Sequence, residues 1–184
     1  MNSRDKNIEF LKKYLKKDYM IKHSIAVEAV MEAIAMKFDK NMDLYRTAGL
    51  MHDIDYEMTD KDPENHAIIG AKILKENGFE EDVCNIVLAH RKDKLEDIES
   101  FDEAAIVCSD AVSGLVVASA LIHPDKKLSS INADFICRRF YEKGFARGAN
   151  REKILICKYL PMELEEFAEL SHAGMLQHSE ELGL

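Results

Sequence analysis

Leu50-Met51-His52-Asp53-Ile54-Asp55 sets a histidine and an aspartate side by side at the foot of an apolar run, with a second aspartate two residues on. The doublet alone says little. Its company says more: His23 lies upstream, and His66, His90 and Asp110 lie downstream. Each of these falls in phase with the apolar face of its own expected helix. Six metal-capable side chains aimed into one core point to a metal centre.

Working outward from the doublet, the third expected helix runs from about Asp43 to His52-Asp53, with Leu44 and Ala48 on its buried face. Consecutive helical residues diverge by about 100°, so His52 and Asp53 reach one centre only from a helix end or with different reaches. A short amphipathic helix through Ile8, Leu11 and Leu15, and a longer one to about Phe38, precede it. His23 lies one turn before Ala26 and Val27 of that longer helix and faces inward. Downstream, Asp62 as cap, Pro63 at the first position and Gly78 past the end predict a helix whose buried stripe starts at His66. Val83, Ile86, Val87 and His90 repeat the helical period.

The stretch from Asp102 to Leu121 is apolar and rich in small residues, as befits a helix through the middle of a bundle. Asp110 is its anomaly, since an isolated buried carboxylate costs several kcal/mol unless paired or bound to a cation. Three further helices are expected near Ala133–Lys143, Arg151–Tyr159 and from Pro161 onward. With no alternating strand pattern and no long linker, the expected fold is a single all-α domain over residues 1–184. Its metal-binding core spans about 19–122 and its C-terminal helices about 132–180. His172 and His178 lie in a polar segment and receive no role.

Among 184 residues, 25 basic and 34 acidic side chains give a net charge of −9, which argues against a nucleic-acid-coating surface. The hydrophobic fraction of 47% is ordinary for a globular chain. Cys84, Cys108, Cys137 and Cys157 form no Cys-x-x-Cys pair and read as reduced buried thiols. The polar N-terminus does not read as a signal peptide, and no uninterrupted apolar run approaches membrane-spanning length. A cytoplasmic protein is expected.

Imidazole and carboxylate without thiolate suit a borderline divalent ion such as iron or manganese. Four histidines and two aspartates exceed one open site's needs and suffice for two ions, with Asp53 as the natural bridge. Asp55 is a candidate for orienting a ligand or the attacking water. Arg147 and Arg151, with Arg138, Arg139 and Lys143 near them, are candidates for gripping a substrate phosphate, because the guanidinium fork matches its oxygens.

The ordered set His23, His52-Asp53, His66, His90 and Asp110 on a helical background resembles the HD-domain superfamily of metal-dependent phosphohydrolases. His52-Asp53-Ile54-Asp55-Tyr56 and Phe145-Ala146-Arg147-Gly148-Ala149-Asn150-Arg151-Glu152 are similar to a group of small bacterial and archaeal members. The resemblance implies an HD-type bundle in which His23, His52, Asp53 and Asp110 hold one metal and Asp53, His66 and His90 a second. It also implies hydrolysis of a nucleotide or small phosphate ester by a metal-activated water, with Asp53 and Asp55 at the chemistry. Two other readings share the pattern: a di-iron oxygenase, and a binding module without catalysis.

Overall fold

The computed structural model describes residues 3–142 and 144–184, and every regular element among them is helical. Helix α1 (Arg4–Tyr14) leads into α2 (Asp18–Lys37), which turns back into α3 (Met42–Met51). Asn41 caps α3 by accepting the Leu44 N–H at 3.1 Å. The hairpin of α2 and α3 is tight because Gly49 lacks a side chain: a Cβ there would stand 2.9 Å from Glu28 Cα and 3.0 Å from Glu28 N. That approach sets the C-terminal end of α3, and with it His52, beside the first turns of α2.

The chain continues through α4 (Tyr56–Thr59), α5 (Ile68–Glu76) and α6 (Glu81–Ala89) to α7 (Phe101–Ile122), capped by Ser100. After it come α8 (Ala133–Tyr141), α9 (Arg151–Leu155), α10 (Leu164–Gln177) and α11 (Ser179–Leu182). Helix α7 packs against α2, α3, α6, α8, α9 and α10. It is apolar nearly all round: Ala104, Ala105, Ile106, Val107, Cys108 and Val112 are fully buried. Its length and composition alone would allow it to cross a membrane, yet 67% of its most apolar window is enclosed by the other helices. A helix hydrophobic on every side belongs in such a centre.

Three expectations need correction. The helix expected from Asp62 to Gly78 is interrupted: Pro63–Asn65 forms a single 3-10 turn, and α5 starts only at Ile68. Ala67 causes the break. Fully buried, it takes a φ of 65°, which carries His66 out of helical register. The last long helix likewise starts at Leu164 rather than Pro161, and residues 156–159 tighten into a 3-10 turn. The expected end of α8 at Lys143 lies outside the described residues, as does Lys143 as a phosphate candidate.

The two ends of the chain meet at α2. The Arg4 guanidinium grips the buried Glu28 carboxylate twice, at 2.8 and 2.9 Å, and reaches Glu181 of α11 at 3.1 Å. Fully buried carboxylates are retained only when paired in this way.

Candidate metal centre

The six residues singled out by pattern come from different places in the fold. His23 is on α2, His52 closes α3, and Asp53 follows in the turn before α4. His66 sits at the break before α5, His90 closes α6, and Asp110 lies midway along α7. Four of them, His52, Asp53, His66 and His90, therefore stand where helical periodicity has ended, which solves the problem of aiming adjacent side chains at one point. The structure brings all six to one floor.

Asp53 stands at its middle. Its Oδ2 is 3.5 Å from His23 Nε2 and 3.3 Å from His52 Nε2. Its Oδ1 is 3.1 Å from His66 Nε2 and 3.5 Å from His90 Nε2. Asp110 Oδ1 joins the first pair, 3.1 Å from His23 Nε2 and 3.7 Å from His52 Nε2. Donors held about 2.1 Å from a common ion stand roughly 3.0–3.4 Å from one another, and these spacings lie close to that range.

The chemistry of the donors fits a cation as well. His52 Nδ1 donates to the Gly49 carbonyl at 2.8 Å, and His90 Nδ1 to the Val87 carbonyl at 2.6 Å. Each bond leaves the Nε2 lone pair facing the centre. Yet Nε2 of His52 lies 3.2 Å from that of His23, and Nε2 of His90 lies 2.9 Å from that of His66. Lone pairs so close repel unless a proton or a metal ion stands between them.

Asp55 works behind His66. Fully buried, it accepts the Gly70 N–H at 2.8 Å through Oδ2. Its Oδ1 is 2.9 Å from His66 Nδ1, a charge contact without the alignment of a directed hydrogen bond. Gly70 makes room for this, since a Cβ there would stand 3.2 Å from Asp55 Cγ. Asp55 is thus placed to orient a ligand imidazole and is one shell removed from the centre.

Electrostatics point the same way. Burial opposes charge on His52, but the Asp53 and Asp110 carboxylates outweigh it and raise its pKa well above the usual imidazole range. Burial also opposes ionisation of Asp53, yet His52, His66 and His90 hold it well below the usual carboxylate range. Asp110, between His23 and His52, is lowered too. For His66, burial lowers the value, while Asp53 and Asp55 together push it up to about 9. Without metal the centre draws in protons instead. The His66 shift is upward from 6.5, so its stabilising charge is complete below that pH and is lost as pH climbs through about 9. Metal must displace such protons. Affinity for Mn(II) is therefore expected to rise as pH climbs toward about 9; a flat pH profile of metal binding would contradict this.

Above the centre opens a cavity of about 790 Å³. Ala111, Gly114 and Ala118 of α7 form one side, and Ala146, Gly148 and Ala149 another. Arg91, Lys153 and Tyr56 stand at its edges. The structure does not bring the two expected phosphate arginines there. Arg151 turns into the fold, where its guanidinium donates to the carbonyls of Arg139, Phe140, Phe145, Ala146 and Ala149 at 2.6–3.4 Å. Arg147 is exposed, with its guanidinium beside Gly144. Neither borders the cavity. Arg138 ion-pairs with Asp134, and Arg139 with Glu142. Arg91 and Lys153 are the cations that pattern reading passed over; the first immediately follows a candidate ligand, which was the available signal.

Fold and centre together define a helical protein built around a histidine–aspartate cluster with the donors and spacing to hold a metal ion. An HD domain model matches residues 20–112, half of the chain, and the chain belongs to the HD domain family. Ribonuclease Y of Fusobacterium nucleatum subsp. nucleatum is 31% identical over 94 residues, covering 51% of this chain and 18% of the relative. Ribonuclease Y of Clostridium tetani is 30% identical over 145 residues, 76% of this chain and 27% of the relative. A tRNA (cytidine(56)-2'-O)-methyltransferase of Thermoplasma volcanium is 35% identical over 83 residues, 45% and 24% of the two chains. The chain thus spans 18% to 27% of the length of these curated relatives. No solved structure matches it.

Proposed function

We propose that this chain is a metal-dependent phosphohydrolase acting on a nucleotide or another small phosphate ester. The observation that carries the reading is Asp53, which turns one carboxylate oxygen to each of two imidazole pairs at the floor of an open cavity. His23, His52, Asp53 and Asp110 would hold one divalent ion, iron or manganese by donor type, and Asp53, His66 and His90 a second. Two such ions lower the pKa of a water and offset charge on phosphoryl oxygens.

The chain's own residues do the rest. The Gly49 and Val87 carbonyls hold His52 and His90 in the tautomer that presents Nε2. Asp55 turns His66 toward the centre and leaves the attacking water without a dedicated protein base. Tyr56 presents a partly exposed ring at the mouth, edge-on to His66 with centroids 6.0 Å apart. The small residues of α7 line the same cavity and leave it room for a planar group. The names of the ribonuclease Y relatives bring RNA into consideration. A net charge of −9 favours a small substrate over a long polyanion. Four free, buried thiols suit the reducing cytoplasm.

The test is phosphate or nucleotide release, in the absence of oxygen, from a panel of nucleotides, phosphate monoesters and short oligoribonucleotides by Mn(II)-loaded protein. Turnover of a small ester is expected. Turnover that consumes dioxygen on a substrate without phosphate would replace this reading with an oxygenase, and full metal loading with no turnover across the panel would leave a binding module.

A further inference from the structure

We infer that Lys153 is a contact for a substrate anion and that Asp93 holds its place while the cavity is empty. The inference rests on the phosphohydrolase reading and adds to it a residue and a gate. Lys153 and Asp93 both border the cavity, with Lys153 Nζ 2.8 Å from Asp93 Oδ1. The same ammonium is 3.5 Å from the backbone carbonyl of His90, so it stands against the main chain of a candidate ligand residue.

The pair is unequal. Lys153 is mostly enclosed, its side chain 15% exposed, while the Asp93 side chain is 70% exposed. The lysine is also well anchored: Asn150 Oδ1 accepts the N–H groups of Glu152 and Lys153, which fixes the first turn of α9. Asp93 sits in the irregular link after α6, where its carboxylate can turn to water without disturbing a helix. An exposed carboxylate in such a pair contributes little net stability. A phosphate oxygen entering the cavity exchanges one anion for another at an ammonium already in position.

Calorimetric titration of inorganic phosphate into Mn(II)-loaded protein tests the assignment. Loss of one charge-assisted contact in Lys153→Gln should weaken binding about tenfold. Asp93→Asn, which frees the lysine, should tighten it about fivefold, and in the Lys153→Gln background that gain should vanish. Asp97→Asn removes the same charge from the same link without touching Lys153 and should change binding less than about twofold. Equal gains from Asp93→Asn and Asp97→Asn, or a gain that persists in the double variant, would reduce the effect to general electrostatics and overturn the inference. Phosphate binding by the parent that is unaltered in Lys153→Gln overturns the inference alone. Loaded protein that binds no phosphate in any variant overturns the phosphohydrolase reading together with it.

Discussion

Asp53→Ala is expected to lower phosphate release about 10²–10³-fold, the scale for removing one preorganised electrostatic group from a catalytic centre. The reason is position. Asp53 alone faces both imidazole pairs, Oδ2 toward His23 and His52 and Oδ1 toward His66 and His90. Without it, His52 and His90 keep their carbonyl-held tautomers, but all four inward nitrogens lose the shared anion that neutralises whatever cation they hold. Elemental analysis after gentle purification should approach two ions per parent chain and fall below about one in the variant. Asp55→Asn makes the instructive comparison. It leaves every inward donor in place and weakens only the support behind His66, so metal affinity should fall about 10–100-fold and mainly at the His66–His90 side. An Asp53→Ala protein that retains two ions and turns over normally would remove Asp53 from the ligand set.

The second large effect concerns stability. Arg4→Ala should destabilise the fold by ~3–5 kcal/mol, because it abandons a buried carboxylate. Glu28 is 1% exposed and keeps a raised pKa: burial outweighs the help of Arg4, His178 and Arg46. Arg46, at 3.9 Å from Glu28 Oε1, is too distant to replace a two-pronged contact. In a chain of this size the loss corresponds to a melting temperature lower by about 10 °C. The double variant Arg4→Met/Glu28→Leu removes both charges and should recover much of that loss. If it melted no higher than Arg4→Ala, the damage would lie in packing rather than in the orphaned charge.

Much of the fold was legible because apolar periodicity reports directly which face of a helix is buried. The stripes through Ala26, Val27 and Val30, and through Val83, Ile86 and Val87, lie in the core. The inward phase of His23, His52, His90 and Asp110 followed from the same rule. The break before α5 was not legible. Asp62, Pro63 and Gly78 are good helix punctuation, and nothing about alanine announces a positive φ at Ala67; tertiary packing imposes it. The role of Arg151 was hidden for a different reason. Its partners are five backbone carbonyls, and the direction of a carbonyl in an irregular segment leaves no trace in side-chain pattern. Guanidinium chemistry suggested phosphate, while the fold uses the same fork as an internal tie. Lys153 was passed over because choosing by functional group favoured arginine over its neighbour two residues on.

That tie changes how the cavity meets its ligand. Ala146, Gly148 and Ala149 belong to a short glycine-bearing link, the sort of segment that ordinarily samples many shapes and must surrender them on binding. Arg151 gathers its carbonyls from Phe145 to Ala149 and anchors them to the end of α8. The disorder is thus given up once, when the chain folds, and not again at each encounter. This side of the cavity meets an incoming molecule already shaped, so less of the contact energy is spent on arranging the wall and more remains to hold the ligand over Asp53.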